Sequence, residues 1–248
     1  MLVFLEILLR LSLSHALAIQ GGSPVSASSV LAKSEISLGD LSSGTLFRSY
    51  CSGTLISNHA IVTAAHCLIG KNPAQTLILF GVNGLTTSVT RTGEKIIIPS
   101  QYVPYGDLLP DKRDNFDIGI LFFSGELPEN FSPAFMVDQE LAQNQIPIKI
   151  AGFGLPNAGI LNQCVTRVIN DSYSRSEFQL KGDLTCSPAT RDSGGPDFRI
   201  KNGKVYLYGI HNWGWHDQNG NPNYSVEARI SFYAPWIRQL INQYEISP

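Results

Sequence analysis

The sequence is poor in charge. Only 15% of its 248 residues are Asp, Glu, Lys or Arg, where an average soluble domain carries about 25%. The two signs nearly cancel, 18 Lys and Arg against 20 Asp and Glu, for a net charge of -2. No basic excess is present to draw in nucleic acid or anionic lipid at long range. Glycine and proline, at 22 and 14 residues, fall far short of a low-complexity or collagen-like composition. Beyond residue 18 no apolar run approaches the roughly 18 residues that a membrane span requires. Helical periodicity is nearly absent before the C-terminal end. Disordered chains, coiled coils and polybasic binders are excluded, and a soluble mature chain with no nucleic-acid or membrane partner is expected. Cysteine is also scarce. None of Cys51, Cys67, Cys164 and Cys186 is spaced as C-x-x-C, which argues against zinc-ribbon and thioredoxin chemistry.

What is present begins with a leader. Residues 1–18, MLVFLEILLRLSLSHALA, are Leu-rich and close on Ala16-Leu17-Ala18, an A-x-A cleavage pattern. Glu6 and Arg10 make the stretch a poor membrane span. It reads as a secretory signal, although Glu6 stands where a basic residue is usual. Export to an extracellular or periplasmic compartment favours pairing of the four cysteines. Four cysteines allow three connectivities, which spacing alone leaves open.

The body of the chain is a series of short apolar runs separated by Gly, Pro, Asn and Ser. Strands are predicted at 53–56, 60–64, 77–80, 95–98, 118–123, 146–151, 165–169 and 205–210. Trp236, Ile237, Leu240, Ile241 and Tyr244 then share one face of a terminal helix, with Pro235 in its first turn. Many short strands and one helix predict an all-β antiparallel barrel or sandwich. The polar, Pro-punctuated segment 124–133 suits a crossover between two halves. The length is ample for a sizeable core without help from disulfides.

Nucleophilic hydrolysis by serine needs a base, a carboxylate that orients it, and donors for the developing oxyanion. Of five histidines, His66 stands out, because an apolar strand runs directly into Ala64-Ala65-His66-Cys67. Ser193 precedes two glycines, which permit a tight turn that presents Oγ and aims backbone N–H groups at one point. Asp117 enters the apolar run Ile118-Gly119-Ile120-Leu121. A carboxylate there needs a partner, since burying a bare charge is costly, and an imidazole N–H would supply one.

The segments T-A-A-H-C (63–67), D-I-G-I-L (117–121) and D-S-G-G-P (192–196) occur in this order. With C-S-G-T-L-I-S (51–57), A-G-F-G (151–154) and the terminal helix, they resemble the chymotrypsin-like, or trypsin-type, serine protease family over about residues 19–236. The resemblance implies two six-stranded antiparallel β-barrels with a C-terminal α-helix, the first over residues 19–135 with His66 and Asp117, the second over 136–248 with Ser193. It implies His66 as general base and acid, Asp117 as orienter, Ser193 as nucleophile, and an oxyanion hole from the N–H groups of Arg191 and Ser193. It further implies an activating N-terminus. Here Ile19 directly follows the A-x-A site, so leader removal itself would create the ammonium that pairs with Asp192. Cys51 is the nearest partner for Cys67, and Cys164 with Cys186 would frame the pocket. No cofactor and no metal are expected; residues 68–87 contain no Asp or Glu for a calcium loop.

The chain departs from the family's pattern around its substrate pocket. Arg191 replaces a customary Gly at the oxyanion hole, and Asn212 replaces a Ser that serves Asp117, which it could still do by donating to the carboxylate. Ser187 stands where trypsins carry Asp, so cleavage after Lys or Arg is not expected. The wall Gly209-Ile210-His211-Asn212-Trp213-Gly214 carries a histidine in a G-I-H context that resembles glutamate-specific members. Two readings stand. His211, with Ser187 and Ser225, receives an acidic side chain; or the pocket takes small or apolar side chains and His211 is merely paired to Asp197. The expectation is a secreted, monomeric serine endopeptidase acting on proteins or peptides, with a protein inhibitor as a further candidate partner. The alternative is a catalytically impaired homologue serving as a binding module.

Overall fold

The computed structural model describes residues 19–42, 46–84, 86, 89–104, 114–138, 144–155 and 159–246. The expected leader, residues 1–18, lies outside them. A two-residue strand, β1 (Ser23–Pro24), comes first. Then β2 (Glu35–Ser42), β3 (Leu46–Leu55), β4 (Ala60–Thr63), β5 (Leu77–Phe80), β6 (Thr90–Ile97) and β7 (Gly119–Phe123) close a barrel in the order β2-β3-β4-β7-β6-β5. A single helical turn, α1 (Ala65–Leu68), leaves β4. The short β8 (Phe135–Met136) follows. β9 (Pro147–Gly152), β10 (Asn162–Asn170), β11 (Glu177–Lys181), β12 (Pro196–Lys201), β13 (Lys204–His216) and β14 (Pro222–Arg229) form the second ring. It runs β9-β10-β11-β14-β13-β12 and closes where β12 pairs with β9. β1 adds to β10, and β8 lies parallel to β13. Helix α2 (Ile230–Ile246) ends the described chain. The fold is the expected pair of six-stranded antiparallel barrels with a C-terminal helix. Closure leaves each barrel without an open edge.

Side-chain alternation explains why the central strands look uniformly apolar. In β7, Leu121 and Phe123 point into the first barrel with Ile61 and Phe80. Ile120 and Phe122 point the other way, into a seam shared with Phe153, Phe198, Ile210 and Ile237. Both faces are therefore buried, and a period of two reads as a continuous run. The second barrel is filled by Ile148, Ile150, Val168, Phe178 and Leu180, joined by Ile19 from the start of the described chain. The apolar runs predicted as strands all fall on strands or overrun one by a single residue.

One local expectation needs correction. Pro235 does not open the terminal helix, because α2 begins at Ile230, directly after β14. With no loop between strand and helix, the sequence offers no turn signal at that boundary, and Pro235 sits inside the helix. The residues just after position 18 reach across to the second barrel: Gln20 bridges Ser187, and Ser23 faces Gln163. No helix among the described residues is long and apolar enough to cross a membrane.

Both disulfides form, Cys51 with Cys67 and Cys164 with Cys186. The first ties β3 to α1 over 16 residues. In the chain-entropy account such a closure contributes about 3 kcal/mol. Replacing both Cys51 and Cys67 by Ala is accordingly expected to cost about that much in denaturant-determined stability. A loss well under 1 kcal/mol would show that the loop is constrained by other means.

Candidate active site

Register brings the first two site residues together. β4 pairs antiparallel with β7, placing Thr63 opposite Gly119. His66 follows β4 by three positions and Asp117 precedes β7 by two, so both lie at one end of the ladder. The Asp117 carboxylate is 5% exposed and faces His66 with both oxygens. Oδ1 accepts the His66 backbone N–H at 2.8 Å, and Oδ2 lies 2.6 Å from Nδ1. With Nδ1–H donating to Asp117, Nε2 is left as the acceptor on the exposed side of the ring. The peptide before Asp117 is held in an unusual shape: Phe116 has φ +53°, and the Asn115 side chain accepts the Asp117 N–H at 3.1 Å. Asn212 does not serve the carboxylate as expected. Oriented to satisfy both neighbours, its amide donates to the main-chain carbonyls of Asp117 at 2.8 Å and Ile210 at 3.2 Å.

Ser193 comes from the second barrel. Its carbonyl accepts the Ser52 N–H of β3 at 2.9 Å and lies 3.7 Å from Cys67 Sγ, beside His66. Gly194 (φ +81°) makes this approach possible, since a Cβ there would stand 1.9 Å from Thr63 Oγ1. No direct hydrogen bond joins Ser193 Oγ to the His66 ring among the described residues. Catalytic hydrogen bonds are often long in unliganded sites and tighten with substrate.

The loop before the serine is pinned by a buried acid. Asp192 is fully buried; Oδ2 accepts N–H groups from Ile19 at 3.0 Å and Ala189 at 2.8 Å, and Oδ1 accepts Gly154 N–H at 2.8 Å. Burial pushes its carboxyl up to about 6, against the pull of these three donors. Gly154 has no room for a side chain, because a Cβ would meet Asp192 Cγ at 2.7 Å. Arg191 takes the left-handed conformation with φ +77°. Its carbonyl accepts from Ser52 Oγ at 3.2 Å. Neither its N–H nor that of Ser193 meets a protein acceptor among the described residues.

A cavity of about 410 Å³ opens beside Ser193. Residues 188–191 form one wall, and His211, Asn212, Trp213, Gly214 and Ser225 the other. Ser187, counted as a pocket residue from the sequence, is buried in backbone pairing with Gln20 and does not line the cavity. His211 is 2% exposed. Its Nδ1 lies 2.8 Å from Glu227 Oε2 and 3.1 Å from Asp197 Oδ1. Burial works against the imidazolium, but these two carboxylates outweigh it and hold the ring protonated well above the usual histidine range. Burial and the charge of Glu227 push Asp197 up to about 7. The buried Nε2 of His211 and Oγ of Ser225 have no hydrogen-bond partner among the described residues. Asp197, His211 and Glu227 are also the kinds of group that bind metals, as are Cys51, His66 and Cys67, whose thiols are oxidised. Glu227 was not singled out from the sequence. A lone acid in the run Ser225-Val226-Glu227-Ala228 was the available signal, and the register sets it opposite His211.

A non-Gly residue held in the left-handed region costs on the order of 1–3 kcal/mol. Arg191→Gly is therefore expected to raise stability by about 1 kcal/mol in denaturant titration. A destabilisation of similar size would mean that the Arg191 side chain makes a compensating contact.

The family model described as Trypsin matches residues 19–237. Among curated proteins, Trypsin-1 of Astacus astacus is 26% identical over 211 residues, covering 76% of this chain and 86% of the relative. Trypsin zeta of Drosophila erecta is 29% identical over 217 residues, covering 77% and 73%. Trypsin zeta of Drosophila melanogaster is 28% identical over 222 residues, covering 77% and 74%. With its two closed barrels and a family match that spans nearly all of the described residues, the chain belongs to the trypsin family of serine proteases.

Proposed function

We propose that the protein is a secreted endopeptidase that hydrolyses peptide bonds through an acyl-enzyme on Ser193 and prefers an acidic residue before the cleaved bond. The observation that carries the reaction is the 2.6 Å contact of His66 Nδ1 with the buried Asp117, beside a serine loop anchored to the same region. His66 Nε2 takes the Ser193 hydroxyl proton as Oγ adds to the carbonyl carbon. The N–H groups of Arg191 and Ser193 receive the developing oxyanion. The imidazolium then protonates the departing amine, and water repeats the sequence to release the acid. The positive φ of Arg191 supports an open hole, because it keeps the loop shape that Gly would allow. This favours an enzyme over a catalytically impaired binding module.

Two buried donors in the cavity wall, His211 Nε2 and Ser225 Oγ, which have no partner among the described residues, support the acidic preference over a small or apolar one. Asp197 and Glu227 supply the charge that keeps Nε2–H a donor. We further propose that leader removal after Ala18 exposes Ile19, whose nitrogen already lies 3.0 Å from Asp192 Oδ2. The working form is then a monomer with functional halves at 19–135 and 136–248. Its partners are protein or peptide substrates, with a protein inhibitor as a further candidate. N-terminal sequencing of the secreted chain tests the maturation step, with Ile19 expected as the first residue.

Ser193→Ala is expected to lower kcat on a peptide library by at least about 10⁴-fold. Wild-type protein should favour Glu over Gln before the cleaved bond by about 10–100-fold in kcat/KM, the range of a buried charged hydrogen bond. His211 is held cationic above the usual histidine range, so that ratio should persist through neutral pH and fall as the medium turns alkaline. His211→Leu should abolish the ratio. Equal rates for Glu and Gln peptides at every pH would remove the acidic reading and leave the small or apolar one.

A further inference from the structure

Behind Asp117, on the side away from His66, the second barrel presents another carboxyl. Glu177 opens β11 and is fully buried. Its Oε1 accepts the backbone N–H of Asn115 at 3.2 Å. Asn115, also fully buried, accepts the Asp117 N–H with its own side chain at 3.1 Å. The adjacent Ser176 binds Asp114 Oδ1 through both its N–H and its hydroxyl. The grip itself is anchored, because Arg229 donates its N–H to the Ser176 carbonyl and an Nη2–H to the Glu177 carbonyl. A connected path thus runs from β11 through Asn115 to Asp117 and on to the His66 ring. Along it lies Phe116 at φ +53°, a conformation that must be held by its surroundings.

We infer that Glu177 is a positioning residue: it fixes the 115–117 turn from the opposite barrel, and through it the angle at which Asp117 meets His66. This rests on the reading of His66, Asp117 and Ser193 as the catalytic set. A buried backbone N–H must find an acceptor, and Asn115 finds it only in this carboxyl among the described residues. The groups that face Glu177 are Asp114 and Asp117 from the loop, Glu227 and Arg229 from β14, and Tyr233 from α2. Burial, reinforced by the three acids, pushes Glu177 up to about 8. At neutral pH it is chiefly a neutral acid, which accepts through Oε1 without setting a second charge against Asp117. Glutamine reproduces that shape and acceptor; aspartate keeps the acid but is too short to reach.

The test compares E177Q, E177D and E177M in the full mature protein, with S193A assayed alongside. Misplacing a catalytic group by about 1 Å can cost about 10²-fold. E177D and E177M are therefore expected to lose about tenfold or more in kcat with KM nearly unchanged, while E177Q stays within about threefold of wild type. The low-field proton resonance of the His66–Asp117 hydrogen bond should persist in E177Q and move or broaden in E177D. E177Q as impaired as E177D, or both acting like wild type, overturns the inference; these two variants decide the matter even where E177M does not fold. Activity retained in S193A would instead strike the underlying catalytic reading.

Discussion

The structure depends on keeping one nearly dry carboxylate fully partnered. Asp117 stands where the first barrel meets the second, too buried to be solvated by water. An isolated charge there would cost several kcal/mol or neutralise itself. The fold gives the whole residue hydrogen-bond partners: the backbone and ring of His66 reach the carboxylate, Asn115 Oδ1 accepts its N–H, and Asn212 donates to its carbonyl. His66 reaches it across the first barrel and Asn212 comes from the second, so the full set of partners forms only when the two barrels are packed. The seam of Ile120, Phe122, Phe153, Phe198 and Ile210 supplies that packing. Site and core are in this sense one construction.

The same low-dielectric interior holds other acids, and each is accommodated by a different chemistry. Asp192 is stabilised by three backbone N–H groups, one of them at Ile19. Asp197 and Glu227 share the His211 imidazolium, whose charge offsets theirs. Glu177 retains its proton at neutral pH and acts as a hydrogen-bonding acid. Removing one member of such a set commonly costs 3–5 kcal/mol, because it strands the remainder. These groups are therefore poorly placed to drift, and they lie behind the serine loop, the cavity wall and Asp117. The arrangement suits a site that must hold its geometry while a flexible substrate enters and leaves.

The sequence displayed the parts of this design that are local. The strands with both faces buried are legible as apolar runs, and the motifs around His66, Asp117 and Ser193 carry the glycines and small residues their turns require. What it concealed is made by pairing across long separations. Glu227 and Glu177 lie in short strands of mixed polarity, and nothing nearby shows that their partners are His211, 16 positions away, and Asn115, 62 positions away. The start of α2 was hidden because β14 turns into it without a loop. Ser187 was placed in the pocket by counting back from Ser193; it pairs through its backbone with Gln20, which does line the cavity.

The central claim is that Ser193 becomes acylated with help from the His66–Asp117 pair. The most direct measurement is mass spectrometry of mature protein quenched in acid during turnover of a slowly deacylating glutamyl ester. The account predicts an added mass equal to the acyl group, mapped to the peptide that contains Ser193 and absent from His66→Ala. Turnover with no covalent adduct, or with the adduct on another residue, would contradict it.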